Sequence, residues 1–256
     1  MSRMPALFIG HGSPMNALER NRYTESWRAM AATLPQKPKA VLCISAHWLT
    51  RGLAVTAMPQ PRTIHDFAGF PRELSALQYP APGDAALAAR VAELLAPTPV
   101  AQDQTWGLDH GAWSVLVHLF PLADVPVVQL SLDANQPELF QYALGQRLSA
   151  LRDERVLILG SGNVVHNLGL INWSGGAYDW ATRFNDWARA CIETGEHPAL
   201  IDWQRQGEDG RLSVPTPEHY WPLLPVLGAQ RAGESAQVLV DGVEMGSISM
   251  LAVRVG

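Results

Sequence analysis

The sequence predicts an α/β fold, a single layered domain with a mixed, largely parallel central sheet flanked by helices. Three observations predict it. Short apolar runs bounded by turn residues recur at 6–9, 40–45, 53–57, 125–130, 156–159, 236–240 and 247–255. Most are continuous rather than alternating, as in strands buried on both faces. Helically spaced stretches lie between them, and strands alternating with helices pack as a layered α/β domain.

The helical segments carry their own signals. Residues 85–95 are rich in Ala, Leu, Val and Glu and are closed by Pro97. Residues 137–152 place Leu144, Leu148 and Leu151 on one stripe before a charged turn at 152–155, and 180–195 is amphipathic. No repeat, low-complexity tract or Ser/Gly-rich linker divides the chain, so 1–256 is expected to be one domain. The connections at 59–82, 98–113 and 195–224 are too long for simple turns, and loops of that length are usually functional or locally structured.

Composition narrows the class. A chain of 256 residues buries roughly 70% of its unfolded surface and needs no staples. At 47% hydrophobic, 17% charged and net charge −5, nothing points to nucleic acid or an anionic membrane. Cys43 and Cys191 are the only cysteines, and Cys43 sits inside an apolar run, so no disulfide framework or thiolate metal site is expected. The apolar run at 6–10 is too short for a signal peptide or a membrane span, so a soluble, cytoplasmic protein is expected. Nine tryptophans are many. Ordinary packing accounts for most, and a pocket for an aromatic ligand is the alternative.

The chemistry sits in the histidines. Gly10-His11-Gly12-Ser13-Pro14 follows one strand, Ser45-Ala46-His47-Trp48 a second, and Gly160-Ser161-Gly162-Asn163-Val164-Val165-His166-Asn167 a third. In open α/β sheets ligands bind beyond the carboxyl ends of strands, so His11, His47 and His166 are placed to converge. Imidazole suits zinc and iron, and three ligands with an open position make a catalytic site. Any one of them, alone, reads as a hydrogen-bonded structural residue. Asp109-His110 lies in a glycine-bracketed loop, either as a metal-orienting or proton-handling pair or as an Asx-type helix start. Glu218 and His219 lie in a proline-locked segment that reads as a rigid loop with Thr216 capping the next helix. His65 either faces a substrate or is a solvated loop residue. His118 reads as structural and His197 as exposed. Walker A, G-x-G-x-x-G, G-x-S-x-G and H-E-x-x-H patterns are absent.

Eight short segments occur together in one order. They are Gly10-His11-Gly12-Ser13-Pro14, Ser45-Ala46-His47-Trp48, Ile64-His65-Asp66-Phe67, Tyr79-Pro80-Ala81-Pro82-Gly83, Asp109-His110-Gly111, Gly162-Asn163-Val164-Val165-His166-Asn167, Pro217-Glu218-His219-Tyr220 and Met245-Gly246-Ser247. Over essentially its whole length the sequence resembles the class III extradiol ring-cleaving dioxygenases, in their DOPA 4,5-dioxygenase-like branch. The resemblance implies a metal held by His11, His47 and a third ligand from the His219 segment. Other relatives use a glutamate there, and His219 matches the branch position with Glu218 beside it. It implies that His166 is the acid/base histidine, close enough to count as a fourth ligand, and that His110 supports it. It implies Fe(II) as the working metal, a catechol and O2 as partners, and ring opening beside the diol. Zn(II) is expected in purified protein because it binds such sites more tightly. A zinc hydrolase using the same histidines is the competing class. Trp48, Tyr220 and Trp221 adjoin the implied ligands as candidates to shape the pocket.

Overall fold

Six strands build the central sheet: β1 (Ala6–Gly10), β2 (Ala40–Ser45), β3 (Val127–Gln129), β4 (Val156–Gly162), β5 (Ala236–Val240) and β6 (Ala252–Val255). Their order is β3-β2-β4-β1-β6-β5. The β3-β2-β4-β1 half is parallel, and β6 runs antiparallel to both β1 and β5. This is the mixed, largely parallel sheet that the continuous apolar runs predict. The computed structural model describes residues 3–256.

Every residue of β1, β2 and β4 is buried. Alternation then sends their side chains to two separate cores. Phe8, Leu42, Ile44 and Ile158 join one, and Leu7, Ile9, Val41, Cys43, Leu157 and Leu159 join the other. Helices α1 (Arg22–Ala32) and α3 (His110–Leu119) cover the second core through Trp27 and Trp113. The first is covered by α2 (Ala85–Leu94), α4 (Glu138–Leu148), α5 (Asp179–Thr194) and α6 (Leu223–Gly228). Among the described residues no helix is long and apolar enough to cross a membrane.

The structure corrects several boundaries. The 247–255 run is broken into Ile248–Ser249 and β6. Between them the chain steps over Gly10, whose N–H donates to Leu251 O at 2.9 Å while Met250 N–H donates to Gly242 O. The connection at 195–224 holds four short helical segments, and that at 98–113 ends in the first turn of α3. Helix α1 escaped sequence reading, although Asn21 and Thr24 form its capping box.

One polar anchor ties the layers together. Arg152 is 1% exposed, and its guanidinium donates to Met4 O, Ala229 O and the Glu234 carboxylate at 2.6–2.7 Å. Burial opposes the charge on Glu234, but hydrogen bonds from Arg152, Arg231 N–H and Arg3 outweigh it and hold the carboxyl down to about 2. A depressed carboxyl adds stability that is present above its unfolded value, about 4.3, and lost as pH falls through its folded one. The midpoint of thermal unfolding is therefore expected to fall between about pH 4.3 and about pH 2. Glu234→Gln should remove part of that slope, and calorimetry across the interval checks it.

Candidate active site

The carboxyl ends of the parallel strands carry the site. His11 follows β1 directly, and its N–H donates to Gly162 O at 3.0 Å, which joins the ends of β1 and β4. His47 lies two residues past β2, with its N–H on Ser45 Oγ at 3.2 Å. His219 ends the one-turn 3₁₀ segment Pro217–His219, which crosses over β4. Two glycines permit that crossing. A Cβ at Gly162 would sit 2.2 Å from His219 O, and one at Gly160 would sit 2.3 Å from Pro222 O. The G-x-G in the sequence thus serves the passage of backbone over strand. Gly162→Ala is expected to push His219 outward and to cost about 1–3 kcal/mol of stability. Thermal unfolding and metal content of one preparation check this, and no change in either would show that the turn yields freely.

His11, His47 and His219 bring one nitrogen each to within 4.8 Å of one another. Their hydrogen bonds settle which nitrogen that is. Ser161 Oγ donates to Gly111 O at 2.5 Å, so at 3.0 Å it accepts from His11 Nδ1. His47 Nδ1 faces Asp66 Oδ2 at 3.2 Å, and His219 Nδ1 faces Glu218 Oε1 at 3.2 Å. With each Nδ1 carrying a proton toward an oxygen, each Nε2 keeps a lone pair, as histidine metal ligands do. The Nε2 atoms of His11 and His47 are 3.2 Å apart, and the buried His219 Nε2 has no protein partner. Lone pairs facing at that distance repel unless a cation lies between them, so the donor set fits a divalent metal. Burial, followed by the charge of neighbouring imidazoles, holds His11 and His219 well below the ordinary histidine value. Burial also disfavours charge on His47, but Asp66 and the more distant Asp109 and Glu218 outweigh it and raise its pKa.

His166 and His110 flank this cluster. The His166 ring lies flat on His219, centroids 3.5 Å apart and planes within 6°. Its nitrogens group with Glu218 and His219, separately from the His11, His47 and His219 set. Burial pushes His166 down to about 4, which leaves it neutral and able to accept a proton. His110 opens helix α3, with its ring 3.9 Å from that of His47 and its Nδ1 2.9 Å from Asp66 Oδ1. Its backbone N–H also donates to that oxygen at 2.9 Å.

A cavity of about 420 Å³ opens over the histidines, and all five of them line it. Its aromatic wall is Phe67, Phe70 and Trp173. The three aromatics adjoining the implied ligands lie elsewhere. Trp48 stacks on Trp106, Tyr220 donates to Leu200 O, and Trp221 packs in the core. Proximity in sequence fails here because consecutive residues leave the backbone in different directions.

The remaining histidines sort out by contact. His65 does not line the cavity; it is half-buried in its loop, with its ring paired to Leu77 O at 2.8 Å. His118 is structural, bound to Asn16 O at 2.7 Å. His197 is half-buried against Tyr142 Oη rather than exposed. Asp109 is an Asx-type helix start, capping α3 through Ala112 N–H, and it also takes a 2.6 Å hydrogen bond from Ser45 Oγ. Thr216 caps nothing and donates to Glu218. Sequence reading missed Asp66, which holds two histidines at once, and Ser161, which sets the tautomer of His11. The available signal was Asp66 beside His65 in a segment already singled out.

Comparison with known proteins adds a family. Residues 5–252 match the family described as the catalytic LigB subunit of aromatic ring-opening dioxygenase. The 4,5-DOPA dioxygenase extradiol of Escherichia coli (strain K12) is 52% identical, over 100% of this chain and 96% of that one. The Beta vulgaris protein of the same name is 38% identical over 94% and 92%. A crystal structure of an uncharacterized protein from Escherichia coli K12 superposes with a TM-score of 0.87 at 48% identity, covering 99% of this chain and 100% of that one.

Proposed function

The chain belongs to the LigB family of aromatic ring-opening dioxygenases, and on that premise we propose that residues 1–256 act as one catalytic domain that opens a DOPA-like catechol with O2 at the ring bond beside the diol, between carbons 4 and 5 in DOPA numbering. It is an extradiol dioxygenase, which sets aside the hydrolase alternative. The observation that carries the site assignment is the convergence of three lone-pair nitrogens at the floor of a cavity walled by aromatic rings.

His11, His47 and His219 hold Fe(II). Held there, Fe(II) would supply Lewis acidity toward the catechol hydroxyls and a redox centre between ring and O2. Ser161, Asp66 and Glu218 keep the three imidazoles in the ligating tautomer. The cavity seats the ring and keeps bulk water away from it. His166, neutral and beside His219, takes the proton of the second hydroxyl and returns it once the ring has opened. His110, held by Asp66, supports that transfer. Both oxygen atoms remain in the product, a ring-opened semialdehyde acid.

O2 consumption by iron-reconstituted protein across a panel of catechols, with the ring-opened product followed in parallel, tests this reading. Uptake matched by product is expected, and no uptake with any catechol would refute it.

A further inference from the structure

A DOPA-like catechol carries an ammonium group as well as a ring, and the five histidines provide for the ring alone. Resting on the dioxygenase reading, we infer that Trp173, together with Phe67 and Phe70, forms a subsite at the cavity mouth that holds the substituent's ammonium group by cation–π contact.

The wall is aromatic from floor to rim. Phe67 stands edge-on to the His110 ring at 5.6 Å and to Phe70 at 5.4 Å. Phe70 and Trp173 continue the lining to the mouth, where Trp173 is 83% exposed and its indole face is open. Its place is fixed all the same. The turn at 172–178 is tied at both ends to 245–246, with Asn172 N–H donating to Met245 O at 2.8 Å and Tyr178 N–H to Gly246 O at 3.0 Å. An aromatic face carries the negative pole of the ring quadrupole, and among aromatic side chains Trp attracts a cation most strongly.

Charge around the cavity points the same way. Among the described residues no Lys or Arg lines it, and Asp66 is its only charged side chain. The adjoining cleft shares Ser13, Met15 and Met245 with the cavity and sets Glu19 and Glu244 against one guanidinium, Arg22. That guanidinium is committed to Tyr23 Oη and lies 3.5 Å from Glu244. A catechol whose diol meets the imidazoles at the floor turns its substituent toward the mouth. There the ammonium group can lie on the indole while a carboxylate on the same carbon stays in water, so an amino-acid substituent fits.

Two pairs of catechols that differ by the ammonium group test the inference on the full chain. L-DOPA is compared with 3-(3,4-dihydroxyphenyl)propanoate, and dopamine with 4-(2-hydroxyethyl)catechol. Two readouts are taken, kcat/KM from O2 uptake by the iron-loaded protein and Kd from anaerobic calorimetry. In both, the ammonium member is expected to lead its partner by about fivefold or more. Trp173→Leu, which keeps an apolar side chain, should cut the lead to about twofold or less, and Trp173→Phe should keep most of it, with metal content unchanged in each. Parity within both pairs overturns the inference. So does a lead that survives Trp173→Leu and disappears in Glu244→Gln, which would give the ammonium group to the adjoining cleft. Binding of all four without ring-opened product from any refutes the dioxygenase reading instead, while the order of Kd values still decides the subsite.

Discussion

His11→Ala is expected to abolish ring cleavage because the protein no longer retains its metal. His11 is fully buried at the end of the central strand β1, and its Nε2 lies 3.2 Å from that of His47. Removing one partner that merely orients a ligand weakens metal binding by about 10–100-fold. Deleting a ligand of a three-nitrogen site should exceed the upper end of that range. Metal analysis after dialysis against a weak chelator, paired with O2 uptake, checks the outcome. Because alanine also leaves a cavity in a packed site, Ser161→Ala is the companion variant. It keeps the imidazole but removes the hydroxyl that fixes its tautomer, so metal affinity should fall while the fold is kept. Stoichiometric metal in His11→Ala would overturn the assignment.

The second large effect separates catalysis from ligation. His166→Ala is expected to retain metal and lose ring cleavage by about 10²–10⁴-fold, the usual worth of a positioned acid/base. One of its nitrogens comes within 4.8 Å of His219 and Glu218, but His166 is not part of the set formed by His11, His47 and His219. Its ring lies flat on that of His219, centroids 3.5 Å apart, which places it beside the proposed ligands. Metal content and single-turnover product formation, measured together, give the answer. Equal metal loss in His166→Ala and His11→Ala would instead make His166 a fourth ligand.

Both variants concern residues that could be picked out before any coordinates. His11 and His47 each follow a continuous apolar run, and such runs become the buried parallel strands whose carboxyl ends form the crevice. Residue order alone therefore located the crevice and two of its donors. His219 could not be found in this way. It comes from an irregular segment, and resemblance to a family, not periodicity, pointed to it.

The α/β class, the main strands and two candidate donors were determined by the sequence itself, because strand burial and strand ends leave a local pattern of residue types, and resemblance to a family added the candidate third donor and the type of chemistry. The approach of His219 to His11 and His47, the tautomers set by Ser161 and Asp66, and the apolar wall of Phe67, Phe70 and Trp173 were decided only by the tertiary structure. Each depends on contacts between distant segments, such as the Pro217–His219 turn lying against Gly162. No local pattern records such a contact, since it is made by close packing between residues that only the completed fold brings together.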